Sequence, residues 1–296
     1  MKKLVSCVIA SVIVFSLCLV LSGCATKMSY TYDGFENFLS GNFVLEGTEV
    51  HTINLDWVSG DVSIEVVDGI DKISVEETSR YKILENEALR YYLSDDGVLT
   101  IKFRASSAKK VNLAKEKTLS IKLPKAKFIK SNLIINAVSA DVYVNRIETA
   151  KISVTNVSGE TTIINSKASI ADVISVSGDV KLKNSVLYDL SVNATSGEVE
   201  GVELTSDKLK LVNVSGNIVA DVLTTPISIN AETVSGNINM KFANEKGFTA
   251  QFESVSGNFN CDFSTQLKDN KYIYLDGVYE YNFETVSGNV TMNKRQ

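Results

Sequence analysis

One five-residue phrase, hydrophobic-Ser-Gly-polar-hydrophobic, constrains this chain more than any other feature. It occurs nine times between Trp57 and Met292, with Ala once replacing the Gly, Thr once replacing the leading hydrophobe and Thr161 once replacing the closing one. The third positions are Gly60, Ala140, Gly159, Gly178, Gly197, Gly216, Gly236, Gly257 and Gly288. After one long gap, from Gly60 to Ala140, successive third positions lie 19, 19, 19, 19, 20, 21 and 31 apart. A period near 20 marks a stack of small identical units.

The columns around the Gly say what one unit is. Seven and five positions before it stand pairs such as Ile53 and Leu55, Ile152 and Val154, and Leu209 and Leu211. Two and four after it stand Val62 and Ile64, Val180 and Leu182, and Ile238 and Met240. Apolar residues two apart on both sides are the strand signature. The Ser-Gly interrupts that alternation and marks a corner, where a residue without a Cβ lets the backbone turn. Each repeat therefore reads as two short strands meeting at a corner. A unit this short cannot bury an apolar face alone, so the units must stack. Helical repeats need roughly 30 residues or more each and a 3.6 period, which these lack. The expectation is an all-β, single-stranded parallel β-solenoid (β-helix) with coils of about 19 to 21 residues; a two-sheet sandwich is the alternative.

The 296 residues divide into three parts. Residues 1–23 read as a lipoprotein signal peptide, with Lys2 and Lys3 before an apolar run from Leu4 to Leu21 that ends in Leu-Ser-Gly-Cys. In that pattern the Cys24 thiol takes a diacylglyceryl group and fatty acyl chains of the palmitate type, and becomes the lipid attachment site. The run is also just long enough for an uncleaved membrane anchor. Either way the rest of the chain lies outside the cytoplasm, held at the bacterial cell membrane. Residues 24–47 are polar and aromatic with little periodicity and read as a lipidated tether; residues 48–296 read as the solenoid. Losing Lys2 and Lys3 with the leader takes the basic count from 30 to 28 against 35 acids, net −7. That mild acidity speaks against a nucleic-acid partner.

The long first gap is close to four repeats and is expected to hold further coils that lost their Ser-Gly. A strand is expected across Lys72 to Glu77, and a short helix or cap across Ser79 to Leu93. The Lys-rich stretch Ser106 to Lys117 reads as a solvated loop, or less simply as a site for an anionic polymer. Tyr272, Tyr274, Tyr279, Tyr281 and Phe283 sit near the end of the stack. They read as a cap over an open strand edge, with a glycan- or partner-binding surface as the alternative.

The residue after each corner is Asp61, Asp141, Glu160, Asp179 and Glu198, and then Asn217, Asn237, Asn258 and Asn289. Stacked in register, Asp141, Glu160, Asp179 and Glu198 would lie about 5 Å apart. Three readings are open: polar corner residues facing water, with Asn able to ladder along the axis, a Ca²⁺ site, or a glycosidase-like carboxylate pair. Catalysis is the weakest, because nothing distinguishes one acid from the others. His51 is the only histidine in the sequence, which leaves no His-based metal cluster and no Ser-His-Asp triad. Cys261 falls in an apolar column and reads as a small buried hydrophobe. No catalytic, cofactor or metal residues are assigned, and the chain reads as a non-enzyme.

A lipobox followed by coils of Val-Ser-Gly-[Asp/Glu/Asn]-hydrophobic, with the strand Leu119 to Pro124 (LSIKLP) upstream, resembles the adhesin-like β-strand-repeat family of bacterial envelope proteins, a domain of unknown function. The resemblance spans about Glu49 to Met292. It implies a β-solenoid exposed at the cell surface, with an envelope protein or glycan as possible partner, and transfers no functional residues. Such domains are in some bacteria encoded beside envelope-stress systems, so an accessory role in that signalling is an alternative. A polysaccharide lyase or hydrolase of the β-helix type is another, though Arg80, Arg90, Arg104 and Arg146 are scattered along the sequence rather than clustered.

Overall fold

The computed structural model describes residues 29–45, 50–110, 115–125, 131–243 and 245–295. Residues 1–23, read from the sequence as a signal peptide, and Cys24 lie outside these residues. No helix among the described residues is long and apolar enough to cross a membrane.

The chain folds as the expected parallel β-solenoid. Asn132–Asn145 pairs in parallel and in register with Thr52–Val67, Ile135 opposite Leu55 and Asp141 opposite Asp61. The next coil lies on it through Glu148–Ser158 and Thr161–Ile164. The same step then repeats, Val154 opposite Val173 and Val173 opposite Val192. Because each coil lies one repeat along from the last, like side chains stack on like. The apolar columns thus become continuous buried rows, with Ile152, Val154, Val173, Val180, Leu190 and Val192 all inaccessible to solvent.

The glycines are there because the coils touch at the corner. Gly178 has φ 139°, and a Cβ on it would collide with the carbonyl oxygen of Gly159 one coil away. At Ala140, where the column lacks Gly, the backbone is not left-handed and a single strand runs straight through the corner.

Three expectations about the ends are corrected. The first gap does not hold a series of further coils. It contributes one, formed by Val98–Lys102 and Thr118–Pro124 lying parallel to the two halves of Thr52–Val67. Its remaining strands in this sheet are antiparallel: Ile73–Thr78 on Thr118–Pro124, and Arg90–Leu93 on Val98–Lys102. No helix forms across Ser79 to Leu93, where turns lead into the strand Arg90–Leu93. The stretch read as a tether is folded from Ser29 on, with Leu39–Ser40 and Phe43–Leu45 added antiparallel to the same cap.

At the other end the coils leave sequence order. The Gly288 coil stacks directly on the Gly236 coil, Ile238 opposite Val290, and the Gly257 coil stacks outside it, Phe259 opposite Val290. Phe252, Phe259 and Cys261 are accordingly only half-buried, whereas Tyr281, Phe283 and Met292 are fully covered. Ten coils in this order make a column about 43 Å tall at the usual strand spacing.

Candidate functional site

The stacked corners place the predicted acidic column as a ladder running along the solenoid. Asp141 Oδ1 accepts the backbone N–H of Glu160 at 2.8 Å, and Asp179 Oδ1 accepts that of Glu198 at 2.8 Å. The amide half of the column does the same: Asn217 Oδ1 accepts from Asn237, Asn237 from Asn289, and Asn289 from Asn258, each at 2.9 Å. Asp and Asn are equivalent here because each offers the same side-chain oxygen to an N–H of the next coil. Glu160 is one carbon longer and turns sideways, accepting from Thr162 Oγ1 at 2.8 Å and pairing with Lys181. That pairing holds its carboxyl below the usual glutamate range, the opposite of what a general acid needs. Among the described residues no three His, Cys, Asp or Glu side chains converge as a metal site.

Two further ladders went unread in the sequence. Three residues before the corner, Asn156 Nδ2 donates to Ala140 O at 2.8 Å and Asn213 Nδ2 to Gly197 O at 2.8 Å, while Ser175 and Thr285 hydroxyls donate to Gly178 O and Gly288 O at 3.1 Å. These buried polar side chains hold the carbonyls that the turn would leave unpaired. On the opposite side of the coil, Arg146, Asn165, Asn184 and Glu203 all have φ near +50 to +60°. Ser166 and Ser185 follow two of them, each hydroxyl taking the N–H of the coil before, at 3.1 Å. The Asn-Ser pairs at 165–166 and 184–185 were the available signal.

Charged groups converge at both ends of the stack. Near the C-terminal end Glu232, Glu284 and Glu253 are in register on three successive coils, pointing out of the sheet between inward-facing neighbours. Asn230 Nδ2 donates to Glu232 at 2.7 Å and Gln251 Nε2 to Glu253 at 2.8 Å. Partial burial first, and then the two flanking carboxylates, push the Glu284 carboxyl above its ordinary pKa. At the N-terminal end Lys117, expected in a solvated loop, is 4 % exposed. Its ammonium donates to Glu77 at 2.7 Å, to Glu87 O at 2.7 Å and to Phe103 O, and lies over the rings of Trp57 and Phe103. Burial pushes its pKa down and the Glu77 carboxylate pulls it back. Lys115 pairs with Glu87 at 2.8 Å, and Arg104 is buried beside them.

With this geometry in hand, residues 68–293 match the Toastrack DUF4097 family. The chain belongs to that family. A solved structure titled a "putative cell adhesion protein", from Clostridium sporogenes, is similar at 14 % identity, over 87 % of this chain and all of that one, with a TM-score of 0.35. No curated protein matches.

At the aromatic end of this Toastrack domain Tyr272 and Tyr274 lie on a capping strand as expected, whereas Tyr279, Tyr281 and Phe283 belong to an inner coil that the Phe248–Ser256 coil covers. Lys271–Tyr274 runs antiparallel to Phe248–Ser256, and Gln266–Lys268 pairs outside it. Phe242, Phe248, Phe263, Tyr274 and Tyr281 pack with ring centroids 4.8 to 5.9 Å apart. The Tyr281 hydroxyl donates to Pro226 O at 2.8 Å, and burial pushes its pKa up. Cys261 lies half-buried in the outermost coil with its thiol pKa raised by burial. That is the state of a packing residue rather than a nucleophile.

Proposed function

We propose that this Toastrack protein is a lipid-anchored, non-enzymatic binding module on the outer side of the bacterial cell membrane, presenting a rigid solenoid to another envelope component. The observation that carries the reading is the Leu-Ser-Gly-Cys ending of the leader at Cys24, just ahead of the first strand at Ser29. Two or more acyl chains on that cysteine hold a protein on a membrane stably. The corner ladder supports the non-catalytic half of the proposal. Asp141 and Asp179 are committed to the neighbouring coil. Among the described residues the carboxylate with a raised pKa, Glu284, sits on the outer side of a sheet strand. The parallel coils supply stiffness, and their repeated outward rows supply a flat face for a partner.

Growth of the native host, or of a bacterium expressing the full chain, with a clickable fatty acid tests the anchor. Label is expected on the wild type and absent from Cys24→Ser, which should also leave the membrane fraction. A labelled Cys24→Ser chain, or an unlabelled wild type, would overturn the assignment.

A further inference from the structure

The N-terminal cap carries an open pocket of about 30 Å³ lined by residues that include Tyr81, Lys82, Glu87, Arg104, Lys115 and Lys117. On this measure it has room for about two water molecules, the size of one oxyanion head. Arg104 is 7 % exposed and its Nε has no hydrogen-bond partner. Its neighbours are matched: Lys117 by Glu77 and two carbonyls, Lys115 by Glu87 at 2.8 and 3.1 Å. Among the described residues no carboxylate forms an ion pair with Arg104. The Glu87 carboxylate is near enough to feel the Arg104 charge, but its oxygens are hydrogen-bonded to Lys115. A guanidinium does not shed its proton, and a buried charge without a directly paired partner is strongly unfavourable. Lys82, Arg104, Lys115 and Lys117 line the pocket with one carboxylate, Glu87, while Lys117 is also paired with Glu77, which is not part of the lining, in a chain of net charge −5.

We propose that this pocket binds a phosphate-type oxyanion, gripped by Arg104 at its base and Lys82 at its mouth. The planar fork of an arginine suits two oxygens of such a group. Two sources share this chemistry, free phosphate and a lipid headgroup. The second rests on the anchoring proposed above. The chain enters the fold beside the pocket, with Tyr32 Oη donating to Arg104 O at 3.1 Å and Tyr30 Oη accepting the Phe103 N–H at 3.1 Å. The stretch from Cys24 to Ser29 spans at most about 18 Å, so a lipidated Cys24 keeps this cap within reach of headgroups.

The test uses the full chain in non-ionic detergent, titrated with inorganic phosphate against sodium chloride of equal ionic strength and followed by thermal unfolding. A second arm measures flotation with phosphatidylcholine vesicles with and without phosphatidylglycerol. A phosphate-dependent rise in melting temperature of a few degrees, weakened about tenfold in apparent affinity by Lys82→Ala and abolished by Arg104→Met, supports a free oxyanion. Phosphatidylglycerol-dependent flotation lowered by the same variants supports a headgroup. Neither response, or responses unchanged in both variants, overturns the proposal. Lys82 is exposed, so its variant keeps the test open if Arg104→Met misfolds. Unliganded Arg104→Met should melt no lower than wild type, because it removes an unpaired charge; a clearly lower value would make the arginine structural. Cys24→Ser should keep the phosphate response, which separates failure of the pocket from failure of the anchor.

Discussion

The two ends of the solenoid face the same problem and solve it with different chemistry. A parallel stack ends in a strand whose N–H and C=O groups invite another strand. Both ends answer with antiparallel strands, Ile73–Thr78 and Arg90–Leu93 at one and Lys271–Tyr274 at the other. Beneath them the plugs differ. The N-terminal end is sealed by the Lys117–Glu77 pair at 4 % and 3 % side-chain exposure, and the C-terminal end by stacked aromatic rings. The closure also differs in extent. Among the described residues no strand covers the outer edge of Phe259–Cys261, and Val255 nearby is 73 % exposed. An ionic plug demands matched partners, whereas an aromatic one demands only volume and shape. The polar end is therefore the one that a single substitution should damage most.

The largest effect is expected from Lys117→Met, which leaves Glu77 charged and buried and should cost about 3–5 kcal/mol in urea unfolding. Adding Glu77→Gln should recover part of that loss. A loss under about 1 kcal/mol would show that the pair behaves like a surface bridge and would erase the contrast between the ends. Between the ends, Gly178→Ala puts a Cβ against Gly159 O at φ 139° and should cost about 2–3 kcal/mol. This calibrates how tightly the coils are coupled. At the aromatic end Tyr281→Phe keeps the ring and loses only the bond to Pro226 O, so about 1 kcal/mol is expected; a much larger loss would make that plug as polar in its logic as the other.

The smallest effect sits on the outer face. Glu284 binds its proton more tightly folded than unfolded, because burial and then Glu232 and Glu253 disfavour its charge. Its contribution is fully present below the ordinary glutamate pKa of 4.5 and is lost as pH rises through the raised folded value. Solvent screens much of the repulsion at this half-exposed position. Glu284→Gln should therefore gain only a few tenths of a kcal/mol on wild type at about pH 7 and nothing at about pH 4. Equal stability at both would place the carboxylate in full solvent.

The regular middle was legible because its information is local and repeated. Val154, Val173 and Val192 recur at the same place in successive repeats, and alternation by two fixes which face each takes. The ends were not, because pairing partners there are distant and antiparallel. Nothing in Leu119 to Pro124 announces that it completes the coil begun by Val98–Lys102. Nothing in the Gly288 repeat announces that it slips inside its predecessor. The corner acids were found but not their role, since Asp and Asn differ in charge and agree in the oxygen used. The Glu232, Glu284, Glu253 row was hidden because its middle member comes last in the chain.

The sequence by itself determined the repeat, its strand character and its glycine corners, all of which follow from residue type and spacing along one chain, and the Leu-Ser-Gly-Cys motif on which the proposed anchor rests. Only the tertiary structure decided the order of the last three coils, the burial of Lys117 in what reads as a charged loop, and the absence, among the described residues, of an ion-pair partner for Arg104. Those depend on which segments share a cavity, and an ammonium's choice between water and a buried carboxylate is set by the surroundings that packing creates, not by its neighbours in sequence.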